Sequence, residues 1–151
     1  MSRDSGLDIG RLQRYLSQTV PDLGTIESAE KFSGGQSNPT YRLHCENQDY
    51  VMRSKPPGKL LKSAHAVERE FQVMDALAGS QVPVPDMFQL CEDLDVIGSV
   101  FFIMSYENGS IFWDPALPEL KTRERVSLYQ DEIRVLAALH SLDPSRIGLS
   151  G

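Results

Sequence analysis

The chain has 151 residues, enough for one domain with a real core, and its 40% hydrophobic and 24% charged content reads as globular rather than disordered. Its 15 Lys and Arg against 21 Asp and Glu give a formal charge of −6 with no concentrated basic run, which argues against nucleic acid as a partner. No window holds the ~18 apolar residues of a membrane span. No apolar run follows Met1-Ser2-Arg3-Asp4-Ser5-Gly6, so no secretory signal is expected and a cytoplasmic location is the default.

Ile9, Leu12, Tyr15, Leu16 and Val20 recur at three and four residues, which predicts an amphipathic helix ending at Pro21. The period then shortens, and residues 26–32, 40–45 and 49–53 read as three strands of an antiparallel meander. Lys55-Pro56-Pro57-Gly58 must be a loop. Ser63 can cap a helix with Val67, Phe71, Met74, Leu77 and Ala78 on its apolar face, and Gly79 ends it.

Residues 87–91 and 100–106 read as two further strands, joined by a turn at Glu92-Asp93-Leu94-Asp95. Asn108, Gly109, Pro115 and Pro118 keep the next stretch irregular. A long helix is predicted over 122–142, with Val126, Tyr129, Ile133, Leu136, Ala137 and His140 on its apolar face. Cys45 and Cys91 fall within strands and read as buried free thiols, although a pair could form one disulfide.

The fold class is therefore α+β. A five-stranded antiparallel sheet with a helix after the third strand is the small lobe of a protein-kinase-like fold, followed by the first helix of the large lobe. Such a lobe positions phosphates with a small-residue hairpin, a strand cation and a helix carboxylate. Gly34 and Gly35 let a hairpin backbone approach phosphates, and Ser37 and Asn38 add polar side chains. Arg53, at the end of the third strand, can grip phosphate oxygens.

Glu70 flanks the buried face of the helix and can pair with Arg53, whereas Glu68 lies about 200° around it and reads as solvated. Val51 and Met104 would line the base pocket, before the opening segment Ser105-Tyr106-Glu107-Asn108-Gly109. Asp93 and Asp95 read as a solvated turn, and His44, His65 and the cysteines lack metal-ligand spacing. His140 reads as a packed or capping residue.

These segments together resemble the aminoglycoside phosphotransferase and choline kinase-like family over roughly residues 25–151. Phe32-Ser33-Gly34-Gly35-Gln36-Ser37-Asn38-Pro39-Thr40-Tyr41 resembles its phosphate hairpin, and Tyr50-Val51-Met52-Arg53 its third strand. Ala64-His65-Ala66-Val67-Glu68-Arg69-Glu70-Phe71 resembles its ion-pair helix, and Val96-Ile97-Gly98 with Phe102-Ile103-Met104 the run into its hinge. The likeness is closest to the branch associated with acyl-CoA dehydrogenases.

The resemblance implies a small-molecule kinase using ATP and Mg2+, with a hydroxylated acyl compound as one candidate acceptor. It implies phosphate contacts from Ser37, Asn38 and Arg53, with Glu70 anchoring Arg53, and adenine contacts from the Ser105 carbonyl and Glu107 amide. Arg53 stands where most of the family has lysine. The family's His-Gly-Asp catalytic loop, its following Asn and its later metal-binding Asp have no counterpart here, so no catalytic or metal residue is expected in this chain.

The expected organisation is an N-terminal helix (1–24), a nucleotide-binding lobe (25–107), and a hinge with an incomplete second lobe (108–151). Two functions fit this order. One is the ATP-binding part of a phosphotransferase acting on a small-molecule hydroxyl and completed by a missing C-terminal lobe. The other is a non-catalytic nucleotide-binding or protein-interaction module using the same lobe.

Overall fold

A computed structural model describes residues 6–33, 38–56 and 66–149. The first helix, α1 (Ile9–Thr19), begins where Asp8 accepts the Arg11 N–H at 3.0 Å, satisfying one donor left open by the first turn. Leu12 and Leu16 on its inner stripe are fully buried. Pro21 ends the helix and opens a single 3-10 turn, Pro21–Leu23. Gly24 follows at φ +74°, where an added Cβ would lie 3.2 Å from the Asn47 amide, so the return suits glycine alone.

Five strands follow: β1 (Ile26–Lys31), β2 (Thr40–Cys45), β3 (Asp49–Ser54), β4 (Met87–Cys91) and β5 (Phe101–Ser105). They form one antiparallel sheet in the order β1-β2-β3-β5-β4, so β3 is central. Gln13 ties α1 to this sheet, donating to the Gly24 carbonyl at 3.0 Å and accepting the Ile26 N–H at 2.6 Å. The strands match the sequence expectation to within a residue or two. β1 stops one residue early, and β3 runs one residue further because the Ser54 N–H donates to the Pro39 carbonyl at 2.9 Å.

The turn expected at 92–95 is instead the start of a one-turn helix, α3 (Leu94–Ile97). Asp93 caps it by accepting the Asp95 N–H at 2.9 Å, and Gly98 closes it at φ +81°. Four residues are too few for a helical period to show in the sequence.

Side chains alternate across the sheet and give it two unlike faces. Ala29, Leu43, Cys45, Tyr50, Met52, Cys91, Phe101 and Ile103 form the back, packed with Leu12, Leu16, Val20, Leu23 and Val96 into one apolar core. Tyr15 sets its ring edge-on to Phe101 at 5.9 Å. Cys45 and Cys91 are free and buried, and burial pushes the Cys45 thiol up to about 11, which keeps it unreactive.

The helix after β3 is α2 (Val67–Leu77). Ser63, expected as its cap, lies outside the described residues. Val67 and Leu77 are buried and Phe71 and Met74 half-buried as expected, but Ala78 lies beyond the helix and is exposed. The Phe71 ring lies 6.0 Å from Phe102, which puts α2 on the front of the sheet.

The chain divides into two compact units, residues 1–75 with 85–106, and residues 76–84 with 107–151. The second holds α4 (Thr122–His140), two residues shorter than expected. Its expected apolar face is exposed, with Val126 at 51%, Ile133 at 65% and Leu136 at 50%. The half-buried stripe is the opposite one, Leu128, Val135 and Ala138. His140, expected to be packed or capping, is exposed in the last turn. Among the described residues no helix is long and apolar enough to cross a membrane.

Candidate functional site

The front of the sheet carries polar chemistry instead of a continuous apolar layer. Register places Thr40 of β2 opposite Arg53 of β3, and Arg53 opposite Phe102 of β5. From this central position the Arg53 Nε donates to Glu70 Oε2 on α2 at 2.6 Å, forming the ion pair that the sequence suggested. Its Nη1 donates to the Thr40 hydroxyl at 3.1 Å, and that hydroxyl donates to the Asn38 carbonyl at 3.1 Å. Asn38 completes a ring of four residues, its Nδ2 donating to Glu70 Oε1 at 2.9 Å.

The guanidinium is therefore fixed from two sides, and both oxygens of Glu70 are engaged. Among the described residues Arg53 Nη2 has no hydrogen-bond partner, which leaves donor capacity for an anion. Asn38 is 3% exposed, so its side chain holds the carboxylate that holds the cation. Thr40 was not singled out in the sequence. Its signal is register, since a strand residue directly across from a cation shares that cation's face.

Glu68 was read as solvated, and the structure corrects this. It pairs with Lys55, both side chains being 25% exposed. The helical wheel separates Glu68 from Glu70, but Lys55 has a long stem that reaches the first turn of α2. Desolvation pushes the Glu68 carboxyl up, yet the hydrogen bond and charge of Lys55 outweigh it and hold the group below its ordinary value. Two cations just inside and beyond β3 are thus each tied to α2 by a carboxylate.

Val51 is 6% exposed and lies opposite Met104, on the same face as Arg53. Ser105 is anchored to the lead into β4, its N–H donating to the Asp86 carbonyl at 2.9 Å and its hydroxyl accepting the Asp86 N–H at 3.0 Å. The structure therefore brings Asn38, Val51, Arg53, Glu70, Met104 and Ser105 together in the first unit. Glu107 belongs to the second unit, and Gly34, Gly35 and Ser37 lie outside the described residues. Asp93 and Asp95 serve the cap of α3, and among the described residues no group of three or more His, Cys, Asp or Glu could hold a metal.

A second front-face cluster was not legible in the sequence. Asp49 Oδ2 accepts from Arg42 through Nε at 2.7 Å and also through Nη2, while Asp49 Oδ1 meets His44 Nδ1 at 3.1 Å. The other ring nitrogen of His44 lies 4.0 Å from Glu30. The Arg42 guanidinium carbon sits 4.0 Å from the centre of the Tyr106 ring. Desolvation pushes the Asp49 carboxyl up, but the Arg42 hydrogen bonds and the neighbouring charges outweigh it and lower its pKa.

A five-stranded antiparallel sheet, a helix inserted after its third strand, and a strand cation held by that helix's carboxylate define the small lobe of a kinase-like fold. The chain belongs to the phosphotransferase enzyme family, which matches it over residues 28–151. A solved Ralstonia eutropha structure assigned as an aminoglycoside phosphotransferase superposes with a TM-score of 0.82 at 44% identity, covering 95% of this chain and 41% of that one.

The probable acyl-CoA dehydrogenase IBR3 of Arabidopsis thaliana is 46% identical over 94% of this chain and 18% of its own length. Acyl-CoA dehydrogenase family member 11 of Gallus gallus is 43% identical over 99% of this chain and 20% of its own length. Family member 10 of Mus musculus is 48% identical over 87% of this chain and 12% of its own length. The chain thus spans no more than a fifth of these relatives.

Proposed function

We propose that this chain is the ATP-binding portion of a small-molecule kinase that transfers the γ-phosphate of ATP to a hydroxyl acceptor. The observation that carries this reading is Arg53, fixed on the central strand by Glu70 and Thr40 and with its Nη2 unpartnered among the described residues. A cation already held in place stabilises phosphate charge without reorganising when the nucleotide arrives. Lysine, usual in the family, would offer a point charge; arginine offers a fork that can serve its carboxylate and a phosphate together.

In this reading residues 25–107 are the nucleotide lobe, 1–24 the helix behind it, and 108–151 a connector and the start of a second lobe. Gly34, Gly35 and Ser37 would cover the phosphates. Val51 and Met104 would flank the base, and the Ser105 carbonyl and Glu107 amide would pair with it. Mg2+ would supply charge neutralisation at the phosphates and would be held by carboxylates of a further lobe, which would also supply the catalytic base. The exposed Val126, Ile133 and Leu136 stripe supports such a lobe packing on α4. Relatives named as acyl-CoA dehydrogenases support a hydroxylated acyl compound as the acceptor, and a cytoplasmic setting belongs to the same proposal.

Thermal melting tests nucleotide binding directly. Mg·ATP should raise the melting temperature of the chain, and Arg53→Met should abolish the rise while the variant stays folded. A folded wild-type chain whose melting is unmoved by millimolar Mg·ATP would overturn the reading.

A further inference from the structure

The Arg42 cluster has no part in the phosphate-end chemistry just described, yet it is built more tightly than a solvated surface pair. Arg42 is held through two nitrogens to one oxygen of Asp49, whose other oxygen is engaged by His44. These groups share the front face with Arg53, because Arg42 lies opposite Val51 and His44 opposite Asp49. The network runs from Glu30 on β1, through His44, Asp49 and Arg42, to Tyr106 just beyond β5. Arg42 also lines a cavity of about 280 Å3 together with Glu30, Lys31, Phe32 and Ser33.

Tyr106 is the point of interest. It is the first residue past the last ladder position of β5, where Ser105 still pairs with Tyr50. Tyr106 is therefore the residue at which the chain leaves the paired part of the sheet. The half-buried Tyr106 ring under a clamped guanidinium supplies a fixed point at this exit.

We infer that Arg42 is a positioning residue for the base end of the nucleotide site: clamped by Asp49, it pins Tyr106 and so fixes the Ser105–Tyr106 backbone that receives the purine. The inference rests on the nucleotide reading above and adds a residue that acts through Tyr106 without touching phosphate. Arg53 organises one end of the ligand and Arg42 the other. The two cations should therefore separate when ligands with and without a base are compared.

The test compares Arg42→Met, Arg42→Lys and Asp49→Asn with wild type in two measurements. The first is hydrogen exchange of the Tyr106 amide in the free chain, which needs no ligand. Arg42→Met should speed it about fivefold, the scale of one cation–π contact, and Arg42→Lys should recover part of the protection. The second is the Kd for Mg·ATP against the Kd for Mg·tripolyphosphate. Arg42→Met should weaken ATP about fivefold and leave tripolyphosphate unchanged, whereas Arg53→Met should weaken both.

Asp49→Asn should fall between wild type and Arg42→Met, and guards against a single variant that misfolds. Unchanged Tyr106 exchange in folded Arg42→Met would overturn the pinning, and equal loss of ATP and tripolyphosphate would overturn the base-end role. If wild type binds neither ligand, the nucleotide reading and the base-end role fall together, and exchange alone decides whether Arg42 pins Tyr106.

Discussion

The two faces of the sheet are built from the same five strands and stabilised in different ways. Behind, α1 buries Leu12 and Leu16 against Leu43, Met52, Phe101 and Ile103, and order there comes from excluded water and close packing. In front, apolar packing of Phe71 on Phe102 is joined by directed bonds: Asn38 to Glu70, Arg53 to Glu70 and to Thr40, and Arg42 to Asp49. A packed apolar face resists change in volume, while a charged and partly open face keeps donors aimed at a ligand. The lobe thus separates what holds it together from what it does.

Disrupting the back face should cost the most. Phe101→Ala removes a fully buried ring from the core and should cost about 3–5 kcal/mol in urea unfolding. Below its lowered melting point the variant should still gain stability from Mg·ATP, because the Arg53 and Glu70 geometry lies on the other side. Loss of that response in a folded sample would show that the faces are coupled.

A smaller effect, of about 1–3 kcal/mol, is expected from Asn38→Asp on the front. It replaces the amide donor with a carboxylate about 3 Å from Glu70 Oε1, so a bond becomes a like-charge contact. One of the two carboxyls should then titrate above its ordinary range. The penalty is fully present when both are ionised and is relieved as pH falls through that raised value. Asn38→Ser, which keeps a donor and adds no charge, should show no such recovery in melting against pH.

The smallest effect is acid sensitivity through Glu68 and Asp49, whose folded-state pKa values are lowered. A lowered value means the native state holds fewer protons than the unfolded chain. The stability from these pairs is therefore present above the ordinary carboxylate range and lost as pH falls through the lowered values. Glu68→Gln should remove part of the acid slope, by less than about 1 kcal/mol because the Lys55 pair is partly solvated. An unchanged slope would mean the pair contributes nothing in solution.

Much of the scaffold was determined by the sequence alone. Helical spacing from Ile9 to Val20, alternation through the strands, and Pro21 and Gly79 as stops need only neighbours along the chain, and the elements formed accordingly. Arg53 and Glu70 were also legible, since one ends a central strand and the other flanks a buried helix face. Four residues were too short a stretch to announce α3, and a helical wheel could not foresee Lys55 reaching Glu68.

Partner choice, by contrast, was settled by folding. Asn38 reads as a residue for phosphate, and folding turns its amide to Glu70; Arg42 was not singled out in the sequence, and folding sets it on Tyr106. Periodicity reports which face a side chain occupies. Which group it meets there depends on strand register and helix placement, which bring together residues far apart in the chain.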